Sequence, residues 1–366
     1  MSEEVASRVR EAIAAHGPIT FAEYMDIALY GRGGFYERPP VGAEGHFVTA
    51  PHVHPVFAEL LLRGLRELWE GLGRPDPLRV VEVGAGDGTL CRDLLRLSTD
   101  VGPAIELWAV ERSSGARRAL GALGIHVAER LDELPPLDPG LVFANELLDN
   151  LPFRRVRGTE RGPVEVLVDA TDERFLEVTG PGDDELAPHL PALAPGEEAA
   201  VPQDALMFMD ELADALVTGY ALLIDYGASS HPIGEVHGYR AHAVVEDVLA
   251  DPGSADITAG VDFGALTERA ADRGLILLGE VSQTDALMAL GLGAWNEGQL
   301  QRQVASIREG SGGRSVAIWQ GRSRASLLVD PSGLGRLRWL LLSNPGLPAP
   351  SWLGAGSERR SRPSAD

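Results

Sequence analysis

Two kinds of hydrophobic pattern alternate along most of this chain. Short runs rich in β-branched residues predict strands at 78–83, 105–110, 125–128, 141–145, 220–225, 274–281 and 314–320. Apolar residues at helical spacing predict helices near 89–97, 114–123, 204–217, 262–272 and 298–309. Strands and helices that alternate in this way predict an α/β fold, in which helices cover both faces of a mainly parallel sheet.

Segments outside this alternation predict three additions to a core of residues 77–330. Helical spacing over residues 1–76 predicts an N-terminal helical extension, with a long loop rich in glycine and aromatic residues that we expect to act as a lid. Three short strand patterns predict a β-meander within an insertion at 153–202. Residues 331–366 predict a docking helix followed by a tail of disordered composition.

The stretch LRVVEVGAGDGTLCRDLLR, residues 78–96, carries the most chemical information. Its strand ends in Gly84-Ala85-Gly86-Asp87-Gly88 and a helix follows, which is the unit that binds nucleotides at the carboxyl end of a parallel strand. Glycine is needed there because a side chain would block a ligand from approaching the backbone. The third glycine comes one residue earlier than in a dinucleotide fingerprint, and Thr89 takes its place, which disfavours an NAD-dependent oxidoreductase.

Acidic residues beside this turn favour a cationic nucleotide. Glu82 lies on the strand itself, and Glu111 ends the next strand, about 20 residues past the glycines, where a ribose-binding acid belongs. A carboxylate would repel a pyrophosphate, but it suits S-adenosylmethionine, which carries a sulfonium and an ammonium and no phosphate. An ordinary turn flanked by two surface acids is the alternative, and it requires all three features to coincide.

The bulk composition narrows the range of partners. The 366 residues carry a net charge of −22, so nucleic acid is not expected as a main partner, although Arg154, Arg155, Arg157 and Arg161 could form a local basic patch. The single cysteine, Cys91, suits a reducing compartment, and we expect a cytoplasmic protein. No run of 18 apolar residues and no signal peptide is present, so no membrane association is expected.

A second group of polar residues follows the predicted strand 141–145. Ligands bind where parallel strands end, so Asn145 and Glu146 should face the same crevice. Methyl transfer mainly requires a nucleophile placed in line with the sulfonium. Asn145 can accept a hydrogen bond, and Glu146 can pair with a cationic acceptor such as a guanidinium. Asp149 is an equally good candidate for the site and for an ordinary helix boundary.

With these motifs in place, the chain resembles the MidA-like family of S-adenosylmethionine-dependent methyltransferases over roughly residues 15–340. The glycine turn is common to many methyltransferases, whereas the other motifs, in this order, are far more specific. The matching segments are ITFAEYMDIAL (19–29), GGFY (33–36), GHFVTAP (45–51), VVEVGAGDGTL (80–90), VER (110–112), ANELLDNLP (144–152), LLIDYG (222–227), DITAGVDF (256–263) and SQT (282–284).

The resemblance implies a class I methyltransferase core and a protein or peptide acceptor, with arginine favoured. It implies that Thr49 and Pro51 close over the cofactor, that Asn145 and Glu146 lie near the transferred methyl group, and that Asp225 and Tyr226 end the fifth strand. The residues implied to hold the cofactor are Glu82, Gly84, Ala85, Gly86, Gly88, Glu111, Arg112 and Asn145. Two positions depart from the family pattern near the acceptor side: His52 replaces an acid, and Gly260 replaces a frequent histidine.

His52 has two further interpretations. With His54, His46 and Glu59 it could suggest a metal site, but prolines bracket the pair and no third ligand has clear spacing, so no metal is expected. A base or hydrogen-bond donor at the acceptor site fits His52 better, because an imidazole titrates near neutral pH. The aromatic residues Phe35, Tyr36 and Phe47 could line the pocket that binds the adenine or the acceptor.

Two alternatives share the same cofactor. A small-molecule N- or O-methyltransferase would use a deep closed pocket, and a polypeptide methyltransferase a broad acidic groove. A non-catalytic assembly factor would bind the cofactor without turnover, and the intact Glu82, Gly86, Asn145 and Glu146 argue against it. The sequence leaves the acceptor, the number of methyl groups added and the oligomeric state open, and a homodimer is among the expectations.

Overall fold

The computed structural model describes residues 2–37, 49–101, 105–184, 186–187, 190–229, 236–240 and 243–356. Within these ranges the α-helices are α1 Ser2–His16, α2 Phe21–Met25, α3 Ala50–Val53, α4 Val56–Gly71, α5 Thr89–Val101, α6 Ser114–Ala122, α7 Gln203–Ala215, α8 Phe263–Asp272, α9 Gln283–Ala289, α10 Leu292–Arg308 and α11 Gly312–Ser326. The strands are β1 Ile19–Thr20, β2 Leu78–Val83, β3 Ile105–Val110, β4 His126–Ala128, β5 Gly140–Asn145, β6 Arg154–Thr159, β7 Gly162–Ala170, β8 Phe175–Gly180, β9 Glu198–Val201, β10 Gly219–Asp225, β11 Gly227–Ala228, β12 His237–Arg240, β13 Ala243–Val245, β14 Asp256–Thr258, β15 Val261–Asp262, β16 Ile276–Ser282 and β17 Arg338–Ser343.

A seven-stranded sheet forms the centre of the fold, in the order β16-β17-β10-β5-β2-β3-β4. Strands β10, β5, β2, β3 and β4 pair in parallel, and β17 runs antiparallel to both of its neighbours. This arrangement confirms the predicted α/β fold with a mainly parallel sheet. It brings the carboxyl ends of β10, β5, β2 and β3 to one edge, where ligands bind in such sheets.

Strand β2 shows how the sequence produces a sheet that is covered on both faces. Leu78 and Val80 belong to one hydrophobic cluster, together with residues of α4 and α5, while Val81 and Val83 belong to another, with residues of α7 and α8. Successive side chains of a strand point to opposite faces. Glu82 therefore lies on the same face as Val80, beneath α5, although it is an acidic residue.

The insertion and the N-terminal extension form one second layer. Strands β6, β7, β8 and β9 pair antiparallel, and β1 joins the edge of β7 with Ile19 opposite Val168. Thr20 caps α2 in a capping box with Glu23, and Phe21 packs against Phe153 of the insertion. The extension is thus fastened to the insertion by strand pairing and by apolar contact.

Three of the four arginines of the predicted basic patch are paired within the insertion sheet. Arg154 is buried and pairs with Glu165 and Asp183. Arg155 and Arg157 both pair with Glu177 and Glu198. These side chains are neutralised within the insertion sheet, so they leave little positive charge for a phosphate backbone.

Two elements differ from the sequence prediction. Residues 314–320 lie in helix α11, not in a strand, and the predicted C-terminal helix is replaced by strand β17. Five of the six residues of β17 are buried, and an apolar run buried on both faces has no alternation that distinguishes a strand from a helix. The tail 357–366 and the centre of the lid loop, with His46 and Phe47, lie outside the described residues. No described helix combines the length and the apolar character needed to cross a bilayer.

Candidate active site

A cavity of about 440 Å³ opens at the carboxyl edge of the central sheet. The register aligns Val83 of β2 with Val110 of β3 on one side and with Ala144 of β5 on the other. The residues that follow each of these positions therefore come together. They include Gly84, Glu111 and Asn145, all of which line the cavity.

The glycine turn forms the wall nearest β3. Gly86 has a φ of +54°, and a Cβ added there would meet no atom within 4 Å, so its backbone is open to the cavity. Its amide donates to Glu111 Oε2 at 2.9 Å, and the Ser113 amide donates to Glu111 Oε1 at 2.8 Å. Burial raises the pKa of Glu111, while these amides oppose the rise. Its carboxylate is thus fixed beside the turn.

Glu82 lies buried under the turn and faces the cavity. The thiol of Cys91 donates to Glu82 Oε2 at 2.7 Å. Burial raises the pKa of Glu82 to about 8, and burial together with Glu82 raises the pKa of Cys91 well above its usual value. Cys91 is therefore a packed hydrogen-bond donor, and Glu82 is a site that a cationic ligand would convert to the ionised form.

Glu146 occupies the end of the cavity next to β5. Its backbone φ is +53°, an uncommon value for a residue other than glycine, and its amide donates to Ile224 O of the next strand at 2.8 Å. Glu146 Oε1 accepts from the Ala50 amide at 2.9 Å and from Asn145 Nδ2 at 3.0 Å. Burial raises the pKa of Glu146 to about 8. Asn145 Oδ1 is buried without a hydrogen-bond partner, so the site offers an acceptor that a ligand can satisfy.

A short segment that contains α3, residues 49–53, closes over the glycine turn, and we call it the strap. The His52 ring bridges the two parts, with Nδ1 2.9 Å from Thr49 Oγ1 and Nε2 3.0 Å from Asp87 Oδ2. Burial alone would raise the pKa of Asp87, but bonds from His52 and from the Thr89 amide lower it overall. Thr49, Pro51 and His52, which were among the predicted site residues, all line the cavity.

An aromatic network lines the cavity on the side of the N-terminal extension. Tyr30 Oη donates to Asn150 Oδ1 at 3.0 Å, Asn150 Nδ2 donates to Tyr36 Oη at 2.8 Å, and Tyr36 Oη donates to Asp256 Oδ1 at 2.6 Å. The Arg112 guanidinium lies 4.4 Å from the centre of the Tyr30 ring. Tyr36 and Arg112 were expected at the site, whereas Tyr30 and Asn150 were not singled out from the sequence.

Helix α7 supplies a wall that the sequence did not indicate. Asp204, Met207, Phe208 and Glu211 of α7 line the cavity. Burial raises the pKa of Asp204 to about 6. No motif marks these residues, because α7 follows the insertion and reaches the cavity only through the tertiary fold.

Some predicted residues lie outside this cavity. Gly88 packs against α6, where an added Cβ would be 2.8 Å from Leu120 Cδ2. Asp149 lines a small recess on the other side of the turn, together with Gly260. Asp225 Oδ2 accepts from the amides of Leu147, Leu148 and Asp149, so Asp225 holds the turn that carries Glu146.

The cavity residues fit S-adenosylmethionine. The volume of the cavity lies in the range of small-molecule sites. Acidic residues outnumber arginines in its lining, which suits a ligand with two positive charges, and the free acceptor of Asn145 adds a polar contact. The acidic residues are Glu82, Asp87, Glu111, Glu129, Glu146, Asp204 and Glu211, against Arg112 and Arg130. Within the described ranges no three potential ligands are grouped so as to hold a metal ion.

Comparison with known proteins gives the same cofactor. A family model described as "Putative S-adenosyl-L-methionine-dependent methyltransferase" matches residues 60–281. The mitochondrial protein arginine methyltransferase NDUFAF7 of Xenopus tropicalis is 30% identical over 328 residues, which cover 76% of this chain and 74% of that protein. The human protein of the same name is 29% identical over 318 residues, which cover 76% and 71%.

Solved structures agree over nearly the whole chain. A crystal structure from Burkholderia thailandensis with bound S-adenosyl-homocysteine superposes with a TM-score of 0.81 at 27% identity, and the match covers 97% of this chain and 95% of that one. A native structure from the same organism gives a TM-score of 0.78 at 29% identity and covers 97% and 94%.

One expectation is contradicted by these relatives. The proteins from Xenopus tropicalis and Homo sapiens are named as mitochondrial, which conflicts with the predicted cytoplasmic location. A low cysteine count indicates only a compartment that does not favour disulfides, and it does not single out the cytoplasm. The cofactor and enzyme class predicted from the glycine turn and its flanking acids are confirmed: the chain belongs to the MidA-like family of S-adenosylmethionine-dependent methyltransferases.

Proposed function

We propose that this methyltransferase modifies a side-chain nitrogen of a protein, with arginine as the acceptor. The observation that carries the proposal is the position of Glu146 at the cavity end that the strap covers. A buried carboxylate there can pair with a guanidinium through charge-assisted hydrogen bonds. The acidic lining and the names of the relatives as protein arginine methyltransferases support the same acceptor.

Glu146 has the properties needed to orient a cationic acceptor. Its oxygen Oε1 is held by the Ala50 amide and by Asn145 Nδ2, so the carboxylate cannot turn freely. In the free protein, burial favours its protonated form. A guanidinium placed beside it would favour the ionised form, because an opposite charge within a few ångströms lowers the pKa of an acid.

The reaction can be written with these residues. Bound S-adenosylmethionine supplies a methyl group on sulfur, and as the new nitrogen–carbon bond forms, the sulfur–carbon bond breaks. The acceptor nitrogen then releases one proton, and Glu146 is the group beside it that can take this proton up. Asn145 Oδ1 accepts a hydrogen bond, and the strap helps to shield the site from water.

A matched pair of variants tests this role. Glu146→Gln keeps the size and an acceptor oxygen but cannot ionise or take up a proton, so we expect turnover to fall about 100-fold or more, while the affinity for S-adenosyl-homocysteine stays nearly constant. Glu268→Gln, on the exposed face of α8, should leave both quantities unchanged. Radiolabelled cofactor incubated with host lysate, followed by acid hydrolysis of the protein fraction, identifies the methylated residue.

Two results would contradict the proposal. If Glu146→Gln weakened cofactor binding as strongly as turnover, Glu146 would belong to the cofactor site and not to the acceptor site. If the label appeared in small molecules while the protein fraction stayed unlabelled, the acceptor would be a small molecule, which is the alternative named above.

A further inference from the structure

The helical hairpin of α10 and α11 carries an unusual concentration of exposed apolar side chains. More than half of the exposed large hydrophobic residues in the described part of the chain lie between Met288 and Leu327. Ile307 is 60% exposed and Trp319 is 56% exposed. Contiguous apolar surface of this kind typically marks a site for a partner.

These side chains form one row on each helix. Leu300, Val304 and Ile307 are spaced four and three residues apart on α10, and Val316, Trp319 and Leu327 follow helical spacing along α11 and its end. Each row therefore lies along one side of its helix.

Both rows lie on the same side of the hairpin. Ser306 and Ser315 are buried and mark the seam between the helices, and Arg322 of α11 donates across the seam to Asn296 and Gln303 of α10. Ile307 and Val316 each directly follow a seam serine, which places them about 100° further round the helix. Because the helices are antiparallel, this equal rotation brings both rows to one face, which we call the hairpin face.

The charge of the hairpin is opposite to that of the molecule. Helices α10 and α11 and the turn between them carry five arginines and two glutamates, in a chain whose net charge is −22. An apolar face with a basic surround is complementary to a protein surface that has apolar residues ringed by carboxylates.

The base of the hairpin contacts the strap. The His54 ring, directly after α3, packs edge-on against Trp295 of α10 with centroids 5.1 Å apart. A Cβ added at Gly321 of α11 would be 3.4 Å from His54 Nε2. The strap residues Pro51 and His52 line the cavity and the Ala50 amide holds Glu146, so the strap links the base of the hairpin to the end of the cavity that Glu146 occupies.

We infer that the hairpin face is the docking surface for the acceptor protein, which it recognises by an apolar patch ringed by acidic residues. This inference rests on the proposed function. It separates two tasks: the cavity receives the single side chain that is methylated, and the hairpin binds a separate part of the folded surface of the acceptor. Affinity for the acceptor would then depend on residues outside the cavity.

The test measures protein labelling by the full-length enzyme, with radiolabelled S-adenosylmethionine and the proteins of a host lysate. The double variant Ile307→Asp, Trp319→Asp should lower the initial rate of protein labelling at least about tenfold, since central aromatic and apolar residues carry most of the energy of an interface. Its affinity for S-adenosyl-homocysteine and its melting temperature should match the wild type. Val244→Asp, at an equally exposed apolar residue of β13, is the control and should label normally.

A second variant and a cross-link complete the test. Arg308→Glu with Arg314→Glu should lower labelling and remove its dependence on salt. A photoreactive amino acid at Val316 should yield a cross-linked product that carries the methyl label. Normal labelling by both hairpin variants, or a cross-link only to a second unlabelled copy of the chain, would overturn the docking role alone. Absence of any labelled protein with the wild-type enzyme would overturn the proposed function as well.

Discussion

At the scale of single residues, Glu111 best defines the cofactor end of the cavity. Its position after the second core strand was visible in the sequence, because a ribose-binding acid belongs there. Its contacts were not visible: the amides of Gly86 and Ser113 each hold one of its oxygens. Both amides follow strand ends, so the carboxylate is oriented by the backbone of the fold.

Removing this carboxylate should weaken cofactor binding. For Glu111→Ala we expect a loss of about 1.5–3 kcal/mol in the binding of S-adenosylmethionine, the range for a hydrogen bond to a charged group. Isothermal titration calorimetry measures it. Glu106→Ala changes an acid near the opposite end of the same strand, which pairs with Arg79, and it should leave the affinity unchanged. Equal affinities for the wild type and Glu111→Ala would remove Glu111 from the site.

The ionisation of Glu146 should be visible in the pH dependence of the reaction. Burial raises its pKa to about 8, so the charged form predominates in the free enzyme only above that pH. Pairing with a guanidinium requires the charged form. We therefore expect kcat/KM for the protein acceptor, measured at a cofactor concentration well below saturation, to rise with pH up to about 8 and then to level off, because this parameter then reports the free enzyme.

Variants of two buried acids distinguish the ionisation of Glu146 from the ionisation of Glu82. Glu146→Gln should lose the rise, whereas Glu82→Gln should keep it at a lower cofactor affinity, although burial raises the pKa of Glu82 to about 8 as well. A profile that falls between pH 6.5 and 8 would show that the protonated form of Glu146 is the active one.

At the scale of elements, the contacts that His52 makes in the strap distinguish between two possible roles of its ring. The sequence suggested a base or hydrogen-bond donor for the acceptor. In the structure both ring nitrogens are engaged, one with Thr49 and one with Asp87 of the glycine turn. A side chain with both nitrogens occupied is better placed to fasten the strap than to accept a proton from a substrate.

The two roles predict different kinetics for His52→Ala. If the ring fastens the strap, S-adenosyl-homocysteine should dissociate about tenfold faster, in line with the loss of a hydrogen bond to a charged group, while kcat changes little. Stopped-flow fluorescence measures the dissociation rate. His126→Ala, at a ring that stacks on Trp108 of β3, serves as the control. A large fall in kcat with unchanged dissociation would instead support the role in proton transfer.

The elements that were predicted well from the sequence either have one apolar and one polar side or end at a recognisable motif. Strand β2 has glycines directly after it, and α4 has a pronounced apolar side. Strand β17 has neither, since five of its six residues are buried, and α11 is largely exposed, with four consecutive apolar residues from Val316 to Trp319. A short apolar run of this kind cannot be assigned to a strand or a helix from its periodicity alone.

The candidate site was predictable to a similar degree. Residues that follow core strands, such as Glu111, Asn145 and Glu146, line the cavity because strand ends converge. The walls from α7, with Asp204 and Phe208, could not be located, because only the tertiary fold brings this helix to the cavity. Asp149 was predicted as a site residue because it follows Asn145 and Glu146 closely in sequence. In the structure, the turn after β5 places it in the small recess on the other side.

At the scale of the whole molecule, the fold buries several acidic side chains around the site, and burial disfavours their ionised forms. Burial raises the pKa of Glu82 and Glu146 to about 8 and that of Asp225 to about 7. In the unfolded chain these groups lose their protons near pH 4. Between these limits the folded protein holds protons that the unfolded chain has released. The acids therefore favour the folded state at low pH, and this contribution is lost as the pH rises through the folded-state values.

The protein without its cofactor should consequently become less stable between pH 6.5 and 8. Each of these groups contributes up to about 1.4 kcal/mol per pH unit to the fall in the free energy of unfolding, and chemical denaturation across this range measures the slope. His54, whose pKa burial lowers, opposes the trend only below its usual value of 6.5, so it does not affect this window. Glu82→Gln keeps an oxygen for the Cys91 thiol but cannot ionise, so this variant should show a flatter slope and a higher stability at pH 8. A wild-type stability that rises over the same range would show that these carboxylates are already charged in the free protein, and that the cavity is more polar than its burial implies.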